Sequence, residues 1–221
     1  INNQFYMINI HFIISSLLIL LLVFFNFQFK NTRILNKILK LLLIINFLTF
    51  NIYLIYNRLF DYNIHLPLHL CYLTEWGIFL SIVFKNKYFY PLLALNALGG
   101  GITGFTNSNL TNDSLIIEHV HLYLSHFNLL LFSMIVYKDN LIITKTDLIK
   151  SIFLNAMIFF SIFYFNHINK SNYWFTHYRP EGQNLTQILP DWPYYLLCLI
   201  VIGLTSFLIT YKLFQQPIKG R

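Results

Sequence analysis

Seven apolar stretches, each close to the length that crosses a lipid bilayer, occupy most of this 221-residue chain. The hydrocarbon core is about 30 Å thick, so a spanning α-helix needs about 20 mostly apolar residues. Backbone polar groups in lipid must be hydrogen-bonded within the protein, and these stretches lack the alternation of barrel strands, so helices are expected. The stretches cover residues 5–27, 34–56, 66–84, 88–105, 116–137, 148–166 and 192–214. The predicted fold class is all-α, a polytopic membrane bundle of about seven transmembrane helices.

The low charge content supports this prediction. Charged residues make up 10% of the chain and hydrophobic residues 57%, whereas a soluble domain has about 25% charged and 45–50% apolar residues. The net charge of +7 is interpreted as positive charge at the cytoplasmic face that meets anionic lipid. We therefore expect membrane lipids as partners and no nucleic acid, while protein partners cannot be read from the residues. The absence of repeats and linkers predicts a single membrane-embedded domain over residues 1–221.

Lysine and arginine are distributed unevenly over the connections between the apolar stretches. Short cytoplasmic loops of membrane proteins are enriched in these residues. If the seven stretches span in alternation, Arg58, Lys170 and Arg179 fall on one side and the other 12 of the 15 basic residues on the opposite side. The larger group is Lys30, Arg33, Lys37, Lys40, Lys85, Lys87, Lys138, Lys145, Lys150, Lys212, Lys219 and Arg221. This asymmetry predicts an N-terminus outside and a C-terminus inside.

Polar side chains gather at the predicted outer end of the third stretch. Charged residues in a membrane cost about 2.5–3.5 kcal/mol each on insertion scales, so such clusters are the best functional signal in the chain. The stretch opens with His65, His69 and Cys71, and carries Thr74 and Glu75 one turn deeper. Because Cys71, Thr74 and Glu75 are spaced i, i+3 and i+4, they are expected to share one helical face.

The fifth stretch also begins with polar residues before it becomes fully apolar. The spacing i, i+4 and i+7 places His119, Tyr123 and His126 on one stripe. His126 lies deepest, where an unpaired imidazole is unfavourable. His121 has the alternative interpretation of an interfacial residue that faces water.

The connection at about residues 167–191 is long and rich in aromatic residues. Connections of this length are usually functional or disordered, and the aromatic content favours a packed cap over the outer mouth. Arg179, together with the outer histidines, is expected to bind a phosphate headgroup. The residues expected to bind substrate are His65, His69, Glu75, His119, Tyr123, Arg179 and Asp191.

Several of these signals also have structural interpretations. A lone buried cysteine is usually a small hydrophobic residue, and Cys198 has no polar neighbours in sequence. The glycines at positions 99–101 and 104 are interpreted as permitting close helix approach. The histidines, with Glu75 or Glu118, could supply metal ligands, but their spacing is not diagnostic and an H-E-x-x-H signature is absent. We expect no metal and no other cofactor.

Five short motifs occur together in a characteristic order. They are HLPLHLC at 65–71, NALGG at 96–100, LSH at 124–126, NYWF at 172–175 followed by Pro180, and PDWPYY at 190–195. On these motifs the chain resembles the bacterial YwaF-like family of integral membrane proteins, which is similar to human transmembrane protein 164. The resemblance runs from about residue 57 to 199 and implies a bacterial plasma membrane.

The resemblance implies a membrane-embedded acyl-transfer site, in which Cys71 matches the nucleophile and His126 the base. Bacterial relatives often carry an acidic residue directly after the cysteine, where this chain has Tyr72, so the group that orients His126 stays open. The expected function is that of an acyltransferase acting on phospholipid or other lipid acyl chains near the outer leaflet. Two alternatives stay open: a transporter or solute-binding component, and a structural subunit of a larger membrane complex.

Overall fold

The computed structural model of the protein describes residues 2–108, 110–111, 113–180 and 184–215, with side chains described from residue 10 onward except at position 185. Throughout these residues the regular structure is helical. Seven α-helices follow one another, and two short 3₁₀ helices, Tyr173–Phe175 and Leu185–Ile188, lie before the last of them. The α-helices are α1 (Asn2–Gln28), α2 (Thr32–Tyr56), α3 (Leu70–Val83), α4 (Tyr90–Thr106), α5 (Ile116–Lys138), α6 (Lys145–Asn169) and α7 (Tyr194–Leu213). The predicted all-α fold is confirmed.

Five of these helices are long and apolar enough to cross a membrane: α1 from Ile10 onward, α2, α5, α6 and α7. α3 is a shorter apolar helix of 14 residues, and α4 has 17 residues. Many apolar side chains of α1, α6 and α7 are exposed, as expected where a helix faces lipid. The protein is therefore a multi-pass membrane protein built as a helical bundle.

Local sequence signals determine several helix ends. The side chain of Asn31 accepts a hydrogen bond from the Arg33 backbone N–H and so caps α2. At α6, Thr144 and Asp147 cap each other reciprocally. α3 begins at Leu70 rather than at residue 66 as predicted. Pro67 disfavours helical geometry at residue 66.

α5 lies at the centre of the bundle and packs against α1, α2, α3 and α4. The glycines of α4 allow the close approach. A Cβ at Gly101 would lie 2.5 Å from Cγ of Leu130 on α5, and a Cβ at Gly99 would overlap the hydroxyl of Ser206 on α7. The interpretation of these glycines as helix-packing residues is confirmed.

By the orientation that the basic residues predict, the end of the bundle with Lys138 is called the inner end and the opposite end the outer end. A buried lysine joins α5 to α1 at the inner end. Lys138, the last residue of α5, donates from Nζ to the carbonyl oxygens of Asn26 at 2.8 Å and Phe29 at 2.9 Å. These carbonyls belong to the end of α1, where a positive charge is favourable. Lys219 and Arg221, which the topology prediction counts on the inner side, lie outside the described residues.

Candidate functional site

A fully buried carboxylate lies between α2, α3 and α5. Glu75 of α3 accepts a hydrogen bond from Ser125 Oγ at 2.5 Å and from Asn128 Nδ2 at 2.8 Å. Asn46 Nδ2 lies 3.2 Å from both carboxylate oxygens and 3.0 Å from Ser125 Oγ. A buried charge is tolerated only when it is paired or hydrogen-bonded, and these donors from two neighbouring helices meet that need.

The network extends toward the outer end through His121. Its Nδ1 lies 3.0 Å from Asn46 Oδ1. Because an amide oxygen can only accept, Nδ1 of His121 carries the proton. The imidazole stacks on Phe50 with ring centroids 3.9 Å apart and meets Tyr72 edge-on at 4.7 Å. His121 is therefore part of the interior network, and the interpretation that it faces water is wrong.

His126 lies on a different face of α5. Its Nδ1 is 2.7 Å from the carbonyl oxygen of Leu122, one turn earlier on the same helix. A carbonyl oxygen accepts only, so Nδ1 is the protonated nitrogen and Nε2 of the neutral ring has a free lone pair. The imidazole packs against Gly104 of α4, where a Cβ would overlap the ring. The group that orients His126 is thus a backbone carbonyl.

Cys71 lies in the first turn of α3 and is a free thiol. Its Sγ would be 3.3 Å from a Cβ at Gly100, beside Leu129 of α5. Gly100 and Gly104 are four residues apart on α4, so Cys71 and His126 pack against successive turns of one helical face. Within the described residues, no hydrogen bond joins Sγ to the imidazole.

The remaining member of the stripe that includes His119 and His126 has a partner from α1. The hydroxyl of Tyr123 lies 3.1 Å from Nδ1 of His11, and the two ring centroids are 5.5 Å apart. This face of α5 is therefore polar and directed toward α1 and α4, whereas the face with Ser125 and Asn128 is directed toward Glu75.

His65, in the connection before α3, lies close to Glu118 in the first turn of α5. Nε2 of His65 lies 3.8 Å from Oε1 of Glu118, and Nδ1 of His65 accepts from the Asp61 backbone N–H at 2.8 Å. Glu118 also accepts from the Leu115 backbone N–H at 2.6 Å and so caps α5. Phe50 of α2 contacts both His65 and His121, with ring centroids 6.1 Å and 3.9 Å away. The structure thus brings together a histidine of the α2–α3 connection and one of α5.

The connection between α6 and α7 packs against the connection between α2 and α3. The hydroxyl of Tyr173 donates to the Tyr62 carbonyl at 2.7 Å and accepts from the Leu66 N–H at 3.0 Å. Burial raises the pKa of the Tyr173 phenol to about 12, so the phenol remains a donor at neutral pH. Asn166, at the end of α6, holds the same turn through the backbone N–H and carbonyl of Tyr173.

His69 is covered by this connection. Its Nδ1 lies 3.4 Å from the Trp174 backbone N–H, and its ring is 5.0 Å from Tyr173 and 5.2 Å from Phe175, measured between centroids. Trp174 Nε1 donates to the Leu68 carbonyl at 2.7 Å. His69 therefore lies beneath an aromatic cover at the start of α3.

Arg179 and Asp191 belong to the outer layer of the same connection. Nη2 of Arg179 donates to the carbonyls of Leu189 at 2.7 Å and Pro190 at 2.5 Å, and to Oδ1 of Asp191 at 3.0 Å. Its guanidinium also lies 5.8 Å from the Tyr195 ring centroid. These contacts join the connection to the start of α7, and Asp191 is otherwise exposed, with 98% of its side chain accessible.

A groove of about 390 Å³ runs along α3 between α4 and α6. Its walls are mostly apolar and extend from Leu70 and Thr74 at the outer end to Phe84 at the inner end. Asn96 and Asn155 meet across it, with Nδ2 of the first 3.3 Å from Oδ1 of the second. At about 1.5 Å per residue, the 14 residues of α3 make the groove about 20 Å long.

The predicted site residues divide between these environments. Glu75 lies in the interior network. His119, Tyr123 and His126 lie on the face of α5 that is directed toward α1 and α4, and Cys71 of α3 packs against the same face of α4 as His126. The others, His65, His69, Arg179 and Asp191, lie at the outer end. Among the described residues, no group of three His, Cys, Asp or Glu side chains is arranged to hold a metal ion. The sequence did not predict that Asn46 and His11 belong to the site. Each is a polar residue inside a long apolar run, and that position is the signal in the sequence that could have indicated them.

The chain matches one family model, described as the TMEM164 family, over residues 2–211. No curated protein sequence matches the chain significantly. No solved structure does either. The match covers all seven α-helices apart from the last residues of α7, and it extends to α1 and α2, where the sequence motifs gave no resemblance. The chain therefore belongs to the TMEM164 family.

Proposed function

We propose that the protein is a membrane-embedded acyltransferase that uses Cys71 and His126 to move an acyl chain from a lipid ester to an alcohol. The observation that carries this proposal is the packing of the thiol and the imidazole against Gly100 and Gly104, on successive turns of α4. Because glycine has no side chain, both groups can lie directly against one face of α4. Membrane lipids, in a bacterial plasma membrane, are the proposed source of the acyl chain.

The hydrogen bond from His126 to the Leu122 carbonyl supports the role of base. It leaves Nε2 unprotonated, which is the form that accepts a proton from a thiol. A thiol attacks an ester only as a thiolate, and its ordinary pKa of about 8.5 makes an adjacent base necessary at neutral pH. Hydrogen bonds between catalytic groups are often long before substrate binds, so the pair is expected to tighten around the ester.

The chemical steps balance without a cofactor. The Cys71 thiol gives its proton to His126 Nε2, and the sulfur attacks the ester carbonyl carbon. The carbon–oxygen bond breaks, a thioester forms, and the leaving alcohol takes the proton from the imidazolium. An acceptor alcohol then loses its proton to Nε2, its oxygen attacks the thioester, and the carbon–sulfur bond breaks to restore the thiol.

The groove along α3 supports an acyl chain as the group transferred. Leu70 and Thr74 belong to the same first turns of α3 as Cys71, and both line the groove. Its apolar walls suit a hydrocarbon chain, because a lipid tail can move from the bilayer into an apolar groove without exposure to water. The chain would thus lie along α3 with its carbonyl at the outer end, near the thiol.

The test is the formation of a covalent acyl adduct. Purified protein is incubated with a phospholipid that carries an alkyne-tagged acyl chain, and the adduct is located by mass spectrometry and released by hydroxylamine. Cys71→Ala is expected to abolish the adduct and the matched variant Cys198→Ala to retain it. His126→Ala is expected to slow its formation by about 10²–10⁴-fold. Absence of an adduct on the wild-type protein, or equal labelling of Cys198, would refute acyl transfer through Cys71.

A second candidate function, a transporter or solute-binding component, is favoured by one observation. Glu75 is a carboxylate with no exposed surface inside a membrane bundle, and such groups often mark ion or solute pathways. Proteoliposomes would show uptake of protons or Na⁺ that Glu75→Gln abolishes and Cys71→Ala leaves unchanged. That result, combined with no adduct on Cys71, would replace the first proposal with the second.

A further inference from the structure

Two polar atoms on α1 are buried without hydrogen-bond partners, on the helix whose His11 contacts Tyr123 of α5. Nε2 of His11 and Oγ of Ser15 are inaccessible, and neither makes a hydrogen bond with the described part of the chain. His11 is 8% exposed and Ser15 3%. They are four residues apart and therefore lie on one face of α1. Buried polar atoms are almost always hydrogen-bonded, so two unpaired atoms on one face indicate a place for a polar ligand.

Tyr123 links this face of α1 to His126. Tyr123 and His126 are three residues apart on α5 and therefore lie on one face of that helix, and His11 of α1 contacts Tyr123. On the same helix, the imidazole of His126 packs on Gly104 of α4. The hydroxyl of Tyr123, held 3.1 Å from Nδ1 of His11, completes the polar lining.

We propose that His11, Ser15 and Tyr123 form a hydroxyl-binding subsite, which holds the alcohol oxygen that His126 protonates or deprotonates. The proposal rests on the proposed acyl transfer. Its ligand is the hydroxyl of a glycerol-type or similar lipid alcohol. Neutral imidazole and serine each combine donor and acceptor capacity, which suits an alcohol better than a phosphate or a carboxylate.

The chemistry requires such a subsite on one side of the thioester. The leaving alcohol of the first step and the acceptor alcohol of the second both exchange a proton with the same imidazole nitrogen, so one subsite serves both. In this arrangement His11 and Ser15 are positioning residues: they orient the alcohol oxygen toward Nε2 of His126, and Cys71 provides the acyl group from the α3 side.

The test compares reactions in which His126 exchanges a proton with an alcohol against a reaction whose leaving group needs no proton. An acyl p-nitrophenyl ester acylates Cys71 with a leaving group that departs without a proton, whereas a phospholipid donor and an added lysolipid acceptor both need the subsite. Ser15→Ala is expected to slow transfer to lysolipid about 3- to 10-fold, the effect of one lost hydrogen bond. Acylation by the p-nitrophenyl ester should not change.

Ser16→Ala is the matched control, because Ser16 is the next residue on α1 and is exposed. His11→Phe keeps an aromatic ring against Tyr123 and is expected to slow lysolipid transfer at least as much as Ser15→Ala. Equal rates of lysolipid transfer in wild type, Ser15→Ala and His11→Phe would overturn the subsite while leaving acyl transfer standing. A wild-type protein that p-nitrophenyl ester does not acylate on Cys71 would overturn the proposed function, and the subsite with it.

Discussion

The imidazole of His126 occupies the space that a side chain at position 104 would need, so Gly104 and His126 are complementary across the α4–α5 interface. The same residue that allows the two helices to approach also determines where the proposed base lies. A change at Gly104 is therefore expected to affect packing and the site together.

Gly104→Ala is expected to destabilise the protein by about 1–3 kcal/mol, because the new methyl group overpacks a filled interface. Gly203→Ala on α7 is the matched control. A Cβ at Gly203 meets nothing within 4 Å, and alanine has the better helix propensity by about 1 kcal/mol. Thermal unfolding in detergent measures both variants. Equal melting temperatures for Gly104→Ala and wild type would contradict the close packing of His126 on α4.

The Glu75 network predicts a cost for losing a single hydroxyl. Ser125→Ala removes the 2.5 Å hydrogen bond to the Glu75 side chain, and a buried polar group that loses its partner costs about 1–3 kcal/mol. Ser161→Ala removes a hydroxyl that bonds only the Met157 carbonyl of its own helix on an exposed face, so it should be nearly neutral. Chemical unfolding in mixed micelles compares them. Similar values for both serines would argue that Glu75 does not depend on these donors.

Tyr173 holds the connection between α6 and α7 against the connection between α2 and α3. Tyr173→Phe removes the bonds to the Tyr62 carbonyl and from the Leu66 N–H. Hydrogen exchange at residues 57–69 should accelerate, because the two connections lose their link. Tyr178→Phe changes an exposed tyrosine, 60% accessible, and should leave exchange unchanged. Unaltered protection in Tyr173→Phe would show that the connections are held together by other contacts.

The charge distribution predicts the orientation in the membrane. Single cysteines introduced in place of Lys87 and Lys145, in a background without Cys71 and Cys198, are expected to react with an impermeant maleimide only from the inner side. A cysteine at Asp113 is expected to react from the outer side. Outer labelling at Lys145 would place the α5–α6 connection outside and move the candidate site to the opposite face of the membrane.

Much of the fold can be predicted from the sequence, because a lipid bilayer restricts which backbone structures can cross it. An apolar run of sufficient length must be helical in a bilayer, and all seven runs are helices in the structure. Helical period also predicts which residues share a face, as for His119, Tyr123 and His126. Glycine spacing indicates where helices approach closely, and the five motifs in order indicate the family, which the family model confirms.

Tertiary structure alone decided which helix each face meets. Residues 121, 125 and 128 have the same i, i+4, i+7 spacing as residues 119, 123 and 126. Yet the first set joins the Glu75 network, whereas the second is directed toward α1 and α4. The spacing cannot distinguish the two sets of residues, because it describes positions on one helix and does not say which helices lie beside it. The sequence could not assign Asn46 and His11 to the site for the same reason. Each is a polar residue in an apolar run, and its hydrogen-bond partner lies more than 25 residues away in the chain. Side-chain packing between helices, absent from any local pattern, brought these residues together.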